Sequence, residues 1–323
     1  MNTEKKGSQV MKAGKYYVSS TENCFPTVFY DFDKKTYSDF STGRSGKIRE
    51  NEGISEEYSE EQIRLIELNE SALKFFNSNI QNAADYLKER KLTNQDVNNF
   101  HLGSTGKGLY KHLKKNGFSR KEMLDAGLFK EKDGRLQDTF WNRLIFPIND
   151  KNGHTIAFGG RTLTDSICKY INTSETAVFQ KRKNLYMYDV AHSAPCKAYI
   201  LCEGYMDVLT MHKYGFINTV ASLGTSLTEE QVILLKNKPK VYIMYDSDAA
   251  GIKAAKRAVT MLKENVKVVN LSPAKDPDEF LLSYGKEKMI ERMKEAVNGT
   301  EFLIKHFDEN DSTDTLNFIL NTA

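Results

Sequence analysis

The 323-residue chain contains little cysteine, tryptophan or proline and no long apolar run. Its four cysteines, Cys24, Cys168, Cys196 and Cys202, include no Cys-x-x-Cys pair, so the sequence indicates neither a disulfide framework nor a zinc site. No apolar stretch approaches the length of a membrane span, and the N-terminal residues MNTEKKGSQVMKAGKYY lack the apolar core of a secretory signal. These absences predict a cytoplasmic protein that does not bind membranes.

The charge is small in sum but unevenly distributed along the chain. A formal net charge of +3 is too small to indicate nucleic-acid binding by itself. The stretch 161–183, however, carries five basic residues against only Asp165 and Glu175, whereas acidic residues gather between 203 and 279. A basic strip beside an acidic cluster fits a polyanion held near metal ions. The alternative is an ordinary solvated face.

Hydrophobic periodicity divides the chain into distinct regions. Residues 1–55 are polar and contain a predicted hairpin in TVFYDFDKKTYSDFSTGRSG. From Glu60 to about residue 130, apolar residues at three- and four-residue spacing predict helices. The runs RLIFPIND and HTIAFGGRTL, joined by a turn, predict a second hairpin. In 197–271, four short apolar runs alternate with helical segments, which predicts a parallel sheet flanked by helices.

Acidic residues follow three of the predicted parallel strands. Glu203 ends the first run, Asp246 and Asp248 follow the third, and Asp276 and Asp278 follow the fourth. Ligands bind at the carboxyl ends of the strands in such sheets. Side chains two residues apart in an extended segment point the same way, so the pair at 246 and 248 can face one site.

The chemistry of these side chains favours a hard divalent cation. Asp207, one helical turn beyond Glu203, adds a further carboxylate to the same edge. Oxygen ligands without His or Cys favour Mg²⁺ or Mn²⁺ over zinc. Ions held in this way bridge to phosphate oxygens and assist phosphoryl transfer. The pattern therefore predicts metal-dependent phosphate chemistry, with a solvated edge and a simple helix N-cap at Asp248 as the alternatives.

Three stretches resemble the TOPRIM domain of bacterial DnaG-type primases: CEGYMDVLTMHKYGFINTVASLGTSLTEEQ, YDSDAAG and KDPDEFL. Upstream motifs such as NRLIFPINDKNGHTIAFGGR and KYINTSETAVFQKRKNLYMYD resemble the N-terminal part of the primase RNA-polymerase domain, so the resemblance covers about 60–310. It implies an α/β fold, with a parallel TOPRIM sheet and flanking helices preceded by a mixed α+β primase subdomain and a small N-terminal hairpin region. The expected divisions are 1–55, 56–195, 196–285 and a helical segment 286–323.

The resemblance also implies roles for individual residues. Glu203, Asp246 and Asp248 would be the catalytic residues and principal ligands of two or more Mg²⁺ or Mn²⁺ ions. Further metal-binding acids would be Asp207, Asp276 and Asp278. The candidate residues for binding nucleotide or template are Arg143, Arg161, Lys169, Tyr170, Asn172, Lys181 and Arg182.

Alternatives stay open at several of these positions. Tyr170 either stacks a base or belongs to the core, and Arg143 either contacts substrate or is an ordinary surface charge. Gly159 and Gly160 either let the backbone approach a phosphate or form a tight turn.

The chain departs from the family pattern at both ends. DnaG-type primases usually begin with a zinc ribbon, but here Cys24 is the only cysteine of the region and no His precedes His101. A set of four zinc ligands therefore cannot be found, no zinc is expected, and residues 1–55 are interpreted as a degenerate ribbon. After EFLIKHF the chain has no room for a helicase-binding helical domain. The short C-terminal part is compatible with three interpretations: a compact primase of a mobile element, a paralogue with a different loading partner, or a truncated product.

The leading hypothesis is a DNA primase, a nucleotidyltransferase that makes short RNA primers from NTPs on a single-stranded DNA template. A replicative helicase or its loader is a further expected partner, through an unidentified surface. One alternative is a TOPRIM nuclease or topoisomerase-like strand cleaver. The other is a catalytically impaired homologue that binds nucleic acid or a replication protein.

Overall fold

The computed structural model describes residues 58–224, 226–308 and 313–322, together with four strands near the N-terminus. The chain falls into two compact units. We call Glu50–Asn184 the upstream unit and Leu185–Ala323 the downstream unit, with which Lys15–Arg49 is grouped. None of the described helices combines the length and the apolar character that crossing a membrane requires.

The N-terminal strands form an antiparallel meander. They are β1 (Lys15–Val18), β2 (Val28–Asp31), β3 (Thr36–Asp39) and β4 (Arg44–Lys47). Neighbours in the sheet follow chain order, with Tyr30 opposite Tyr37 in β2 and β3. The predicted hairpin is confirmed as β2–β3, and one further strand pairs on each side. Cys24 lies outside the described residues.

Helices dominate the first half of the upstream unit, as the apolar spacing predicted. They are α1 (Glu60–Ser78), α2 (Ala84–Glu89), α3 (Asn94–Asn99), α4 (Leu109–Lys115) and α5 (Arg120–Asp125). Ser59, Thr93 and Ser119 start α1, α3 and α5 with capping boxes, which satisfy backbone N–H groups that the first helical turn leaves unpaired. The longest helix, α1, buries an apolar face that includes Leu68 and Phe76.

Six strands complete the upstream unit. They are β5 (Gly103–Ser104), β6 (Phe129–Lys132), β7 (Arg135–Asp138), β8 (Arg143–Asn149), β9 (Thr155–Thr162) and β10 (Tyr170–Asn172). The main sheet has the order β10-β9-β8-β5, and the β8–β9 pair confirms the second predicted hairpin. Phe158 of β9 packs edge-on against Phe76 of α1, with ring centroids 5.2 Å apart. The separate β6–β7 hairpin goes beyond the prediction because its strands are mostly exposed and lack an apolar alternation.

The sheet of the downstream unit confirms the predicted parallel architecture. Its strands are β11 (Ala198–Cys202), β12 (Thr219–Ala221), β13 (Lys240–Ile243), β14 (Val266–Val268) and β15 (Val297–Asn298). The order is β12-β11-β13-β14-β15, in which the first four strands are parallel and β15 is antiparallel. The segment 286–323, expected to be helical, therefore also contributes a strand.

Helices flank this sheet. They are α6 (Tyr188–Ser193), α7 (Tyr205–Lys213), α8 (Glu229–Leu235), α9 (Ala249–Leu262), α10 (Pro277–Lys294), α11 (Gly299–Lys305) and α12 (Thr313–Thr322). Of these, α7, α8, α9 and α10 follow the carboxyl ends of its parallel strands. A non-helical residue, Gly285, interrupts α10 at a φ of 78°. The core between sheet and helices includes Leu201, Ile243 and Val259. Because β11 and β13 are neighbours, the residues that follow them meet at one edge.

Gly251 lets the first turn of α9 lie directly against the backbone of Asp246. A Cβ added at Gly251 would lie 2.1 Å from the carbonyl oxygen of Asp246, so one of the two segments would have to move. In an unobstructed helix, Gly→Ala stabilises by about 1 kcal/mol. We expect the opposite sign for Gly251→Ala, a loss of about 1–3 kcal/mol of unfolding free energy, measured by urea denaturation.

The exposed neighbour Ala250 provides the control. Ala250→Ser should change the unfolding free energy by no more than about 0.5 kcal/mol. A Gly251→Ala variant as stable as the wild type, or more stable, would show that the close approach to Asp246 is dispensable.

Candidate metal and nucleotide sites

Six predicted carboxylates lie at or just beyond the carboxyl edge of the downstream sheet. Glu203 directly follows β11, and Asp246 lies three residues beyond the end of β13. The backbone N–H of Asp246 donates to Oε1 of Glu203 at 3.1 Å, which joins the ends of these neighbouring strands. Convergence of the two strand ends, expected from a parallel sheet, is therefore observed.

Two of the other aspartates cap helices. Asp248 is the N-cap of α9, and its Oδ1 accepts a hydrogen bond from the Gly251 N–H at 2.9 Å. Asp276 caps α10 in the same way through the N–H of Glu279 at 2.8 Å. The capping alternative is thus correct for Asp248. It is compatible with a second role, since a carboxylate has further lone pairs.

The remaining two aspartates are buried between α7 and α10. Asp207, in the first turn of α7, accepts a hydrogen bond from the N–H of Gly204 at 3.1 Å. Asp278, in the first turn of α10, accepts one from Oγ1 of Thr210 at 2.5 Å. The Thr210–Asp278 bond links the two helices and fixes their starts relative to each other.

Burial and mutual repulsion raise the pKa of several of these groups. Burial is the largest cause of the raised pKa of Glu203, Asp207 and Asp246. The second cause is repulsion from a neighbouring carboxylate, which is Asp246 in the case of Glu203 and Asp276 in the case of Asp207. The buried Cys202 thiol also has a raised pKa, first through burial and then through four of the carboxylates. The carboxylates of three strand ends therefore act on one another at a single site.

A lysine that the sequence reasoning missed partly neutralises this site. Nζ of Lys275 lies 3.3 Å from Oδ2 of Asp246, and this carboxylate is the largest cause of the raised pKa of Lys275. The same segment is held by the Ser247 N–H, which donates to the carbonyl oxygen of Lys275 at 2.7 Å. A signal existed in the sequence, since Lys275 directly precedes the DPDEF motif.

The donor set fits a hard divalent cation. All the candidate ligands are carboxylate oxygens, which suit Mg²⁺ and Mn²⁺. Burial and then neighbouring carboxylates raise the pKa of Glu203 and Asp207, so a bound cation would stabilise their ionised forms. Within the described residues, no three His, Cys, Asp or Glu side chains surround one point closely enough to hold an ion as they lie. An ion held through one or two carboxylates and water molecules needs no such cluster.

The predicted nucleotide-binding residues all belong to the upstream unit, around β9 and β10. Arg161 lies on β9 directly opposite Tyr170 of β10, and Asn172 lies opposite Gly159. Lys169 is exposed and immediately precedes β10. Lys181 and Arg182 belong to a 3₁₀ turn, Lys181–Lys183, in which burial lowers the pKa of Lys181.

Two aromatic rings hold the guanidinium of Arg161. Its Cζ lies 5.0 Å from the ring centroid of Tyr170 and 5.6 Å from that of Tyr86, a residue of α2 that the sequence reasoning did not single out. Among the described residues, the buried Nε of Arg161 and the buried hydroxyl of Tyr86 have no hydrogen-bond partner. Cation–π contacts that cover the faces of a guanidinium leave its edge for in-plane hydrogen bonds to an oxyanion.

Arg143 is not the ordinary surface charge that one alternative predicted. It is only 9% exposed, and its Nη1 donates to the carbonyl oxygens of Gly160 at 3.0 Å and Lys169 at 3.2 Å. Nη2 donates to the carbonyl oxygen of Cys168 at 3.2 Å. The guanidinium thus ties the loop that precedes β10 to β9, which positions Lys169.

The tight-turn alternative for the paired glycines is wrong. Gly159 and Gly160 lie within β9, opposite Phe146 and Ile145 of β8. A Cβ at Gly160 would lie 2.6 Å from the ring of Phe140, so glycine is required there for close packing.

Comparison with known proteins gives the family. Two family models match: the N-terminal domain of the DNA primase catalytic core over residues 70–192, and a Toprim-like domain over residues 200–281. The DNA primase of Clostridium acetobutylicum is 37% identical over 262 residues, covering 78% of this chain and 44% of that protein. A solved structure of the DnaG primase catalytic domain bound to ssDNA is 32% identical, with a TM-score of 0.68, covering 76% of this chain and 82% of that one. The chain belongs to the DnaG-type primase family.

Family membership confirms the resemblance that the motifs predicted. The chain spans about half the length of the curated primases that it matches. A structure of the zinc-binding and RNA polymerase domains of the Aquifex aeolicus primase is 28% identical and has a TM-score of 0.70, and it covers 100% of this chain and 89% of that one. Every predicted site residue lies within one of the two matched stretches.

The raised pKa of Asp207 predicts a pH-dependent cost in the metal-free primase fold. Between the ordinary aspartate pKa and the raised one, the folded state keeps a proton that the unfolded state releases, so stability falls as pH rises. Asp207→Asn removes this titration. As pH rises, we expect the unfolding free energy of the variant to increase relative to that of the wild type, by up to about 1.4 kcal/mol per pH unit within that range.

Urea denaturation in EDTA at several pH values measures this difference. His212, whose pKa burial lowers to about 4, titrates in both proteins, so its contribution cancels. A difference between the two proteins that does not depend on pH would contradict the assigned repulsion.

Proposed function

We propose that this chain is the catalytic core of a DNA primase, which synthesises short RNA primers on single-stranded DNA by metal-dependent nucleotidyl transfer. The observation that carries the proposal is the single cluster of carboxylates at the carboxyl edge of the Toprim sheet, in a chain whose upstream part matches the primase catalytic core. In the reaction, a 3′-hydroxyl oxygen bonds to the α-phosphorus of an NTP, the α–β phosphoanhydride bond breaks, and pyrophosphate leaves.

Glu203, Asp246 and Asp248 are the proposed principal ligands of two or more Mg²⁺ or Mn²⁺ ions, with Asp207, Asp276 and Asp278 as additional acids. Such ions activate the attacking hydroxyl and neutralise charge that develops on the transferred phosphoryl group. The hydrogen bond between the Asp246 N–H and Glu203 holds two of the ligands in register. Ala249 and Ala250, the small and exposed residues that follow Asp248, leave space for a triphosphate beside the carboxylates.

The upstream residues are proposed to bind the phosphates of NTP and template. The guanidinium of Arg161, which Tyr86 and Tyr170 hold in place, would contact a phosphate in a bidentate manner through its edge. Lys169, Lys181 and Arg182 supply further positive charge, and Asn172 lies on the same strand as Tyr170. Arg143 acts on these contacts by holding the backbone of Lys169 in place.

The proposed domains are a ribbon without zinc ligands (1–55), a primase subdomain (56–195), the Toprim domain (196–285) and a C-terminal segment (286–323). The Aquifex aeolicus likeness, which extends over the whole chain, supports the ribbon assignment. A replicative helicase or loader is a proposed partner of the complete protein, through a surface still to be found.

Asp246→Asn tests the metal assignment. The change removes one of the negative charges that the cation requires, so primer synthesis should fall by at least about 100-fold, while the thermal midpoint and single-stranded DNA binding stay close to those of the wild type. The measurement is the appearance of labelled oligonucleotides from NTPs, single-stranded DNA and Mg²⁺ or Mn²⁺. Glu287→Gln, an exposed change on α10, is the matched control and should leave synthesis unchanged.

The same assay separates the candidate functions. New oligonucleotides made by the wild-type protein support the primase, cleaved DNA supports the strand cleaver, and neither product supports the binding module. An Asp246→Asn variant that still makes primers at the wild-type rate would refute the ligand assignment.

Lys275→Gln tests whether the lysine competes with the cation for Asp246. Losing a unit positive charge near the site should tighten Mg²⁺ and Mn²⁺ binding by about fivefold, since a charge pair at this separation in a water-like dielectric is worth about 1 kcal/mol. Calorimetric titration of metal-free protein measures the change. Lys288→Gln, which removes an equal charge from a pair with Glu291, is the control. Weaker metal binding in Lys275→Gln would show that the lysine organises the site instead of competing with the cation.

A further inference from the structure

A lysine-lined trough lies at the amino edge of the downstream sheet. Two clefts, of about 880 and about 330 Å³, share Lys240, Lys263, Glu264 and Asn265 and are therefore continuous. We call this surface the lysine trough and define it by its six lysines: Lys236, Lys238, Lys240, Lys263, Lys267 and Lys305.

Topology places the trough away from the carboxylates. Lys240 is the first residue of β13, and Lys263 follows the last residue of α9 just before β14 begins. Glu203 and Asp246 instead follow the carboxyl ends of their strands. The four residues of β13 separate the two edges by roughly 13 Å. The trough is thus a distinct surface of the downstream unit.

Positive charge exceeds negative charge in the described lining of the trough. Lys238 is buried, and its Nζ donates to the carbonyl oxygens of Ala194 and Cys196. The other five lysines form no salt bridge with any residue that the structure describes. The lining contains only two acids, Glu264 and Glu301. A groove with this excess of ammonium groups attracts a polyanion.

A strained backbone presents the central lysine. Lys263 has a φ of 68° and a ψ of −72°, and the Glu264 N–H donates to the carbonyl oxygen of Leu262 at 3.0 Å, which is a γ-turn that non-glycine residues rarely adopt. Asn265 also has a positive φ, of 55°. Glycine would relieve this strain, yet the turn carries a lysine that lines both clefts. Strain retained in this way is a feature of functional sites.

The lining chemistry selects the kind of polyanion. No arginine lines either cleft, so neither cleft offers a guanidinium for bidentate contact with one phosphate. The lysines are mobile point charges instead. Asn265, Asn298 and Thr300 add neutral polar groups between the lysines. Point charges along an elongated groove suit a sugar–phosphate backbone that is bound without reading its bases.

We propose that the lysine trough binds the backbone of the single-stranded DNA on which primers are made, at a distance from the carboxylate site. The proposal rests on the proposed function for the identity of the strand. Because the two sites lie at opposite edges of the sheet, only a strand long enough to pass around the downstream unit reaches both. Trough contacts therefore add the most affinity on templates long enough to occupy both sites at once.

The test is a triple variant, Lys240→Gln, Lys263→Gln and Lys305→Gln, which replaces three ammonium groups with neutral amides. Fluorescence anisotropy measures its affinity for single-stranded DNA of about 6 and about 30 nucleotides over a range of KCl concentrations. On the long strand we expect about tenfold weaker binding. The slope of log affinity against log salt should shrink by about 2, which is about 0.7 for each of three lost phosphate contacts. On the short strand, dinucleotide synthesis should match the wild type, because that chemistry takes place at the carboxylate site.

The control removes the same charge from exposed lysines of the upstream unit: Lys111→Gln, Lys115→Gln and Lys130→Gln. Equal salt slopes for the trough variant and this control on the long strand would overturn the proposal. A decaglutamate peptide serves as a probe for an acidic protein partner. If the triple variant loses affinity for this peptide but binds DNA as the wild type does, the proposal is overturned in favour of such a partner. Because binding is measured without NTPs, failure of the trough is distinguishable from failure of the priming function.

Discussion

Electrostatic repulsion among the carboxylates at the carboxyl edge of the Toprim sheet is the constraint on which the rest of the site depends. Parallel pairing of β11 with β13 brings Glu203 and Asp246 together, and burial prevents water from screening them. The protein offsets this repulsion locally, through the ammonium group of Lys275 and through backbone N–H groups at helix starts. A divalent cation would offset the repulsion more fully. Carboxylates held close together at a cost in stability are therefore consistent with a metal-binding function.

The upstream unit uses two neighbouring arginines in opposite ways. Arg143 spends its donors on three carbonyl oxygens of the protein, so it shapes the loop before β10. Arg161 keeps its hydrogen-bonding edge, because aromatic rings rather than acceptors hold its faces. The difference follows from position. Arg143 lies over Gly160, where the missing side chain makes room for a guanidinium to reach the backbone.

Local patterns predicted most of the fold. The four apolar runs with intervening helical segments became the parallel strands β11–β14, and the two hairpins appeared where turn residues interrupt alternating runs. Among the elements that escaped prediction, the β6–β7 hairpin and β15 are short and largely exposed. Exposed strands bury little apolar surface, so they leave no hydrophobic period in the sequence. Their pairing depends on the partner strand.

The sequence by itself determined the family, the parallel sheet and the six carboxylates, because each depends on motif spacing or on periodicity along the chain. Only the tertiary structure decided how those residues are partnered. Lys275 against Asp246, Tyr86 against Arg161 and Thr210 against Asp278 are contacts between segments distant in sequence or differing in element. The trough is of the same kind, since its lysines are scattered between 236 and 305 and meet only when β13, β14 and α11 pack together. The type of each side chain is given at its own position in the sequence, whereas the distances between side chains depend on how the chain folds.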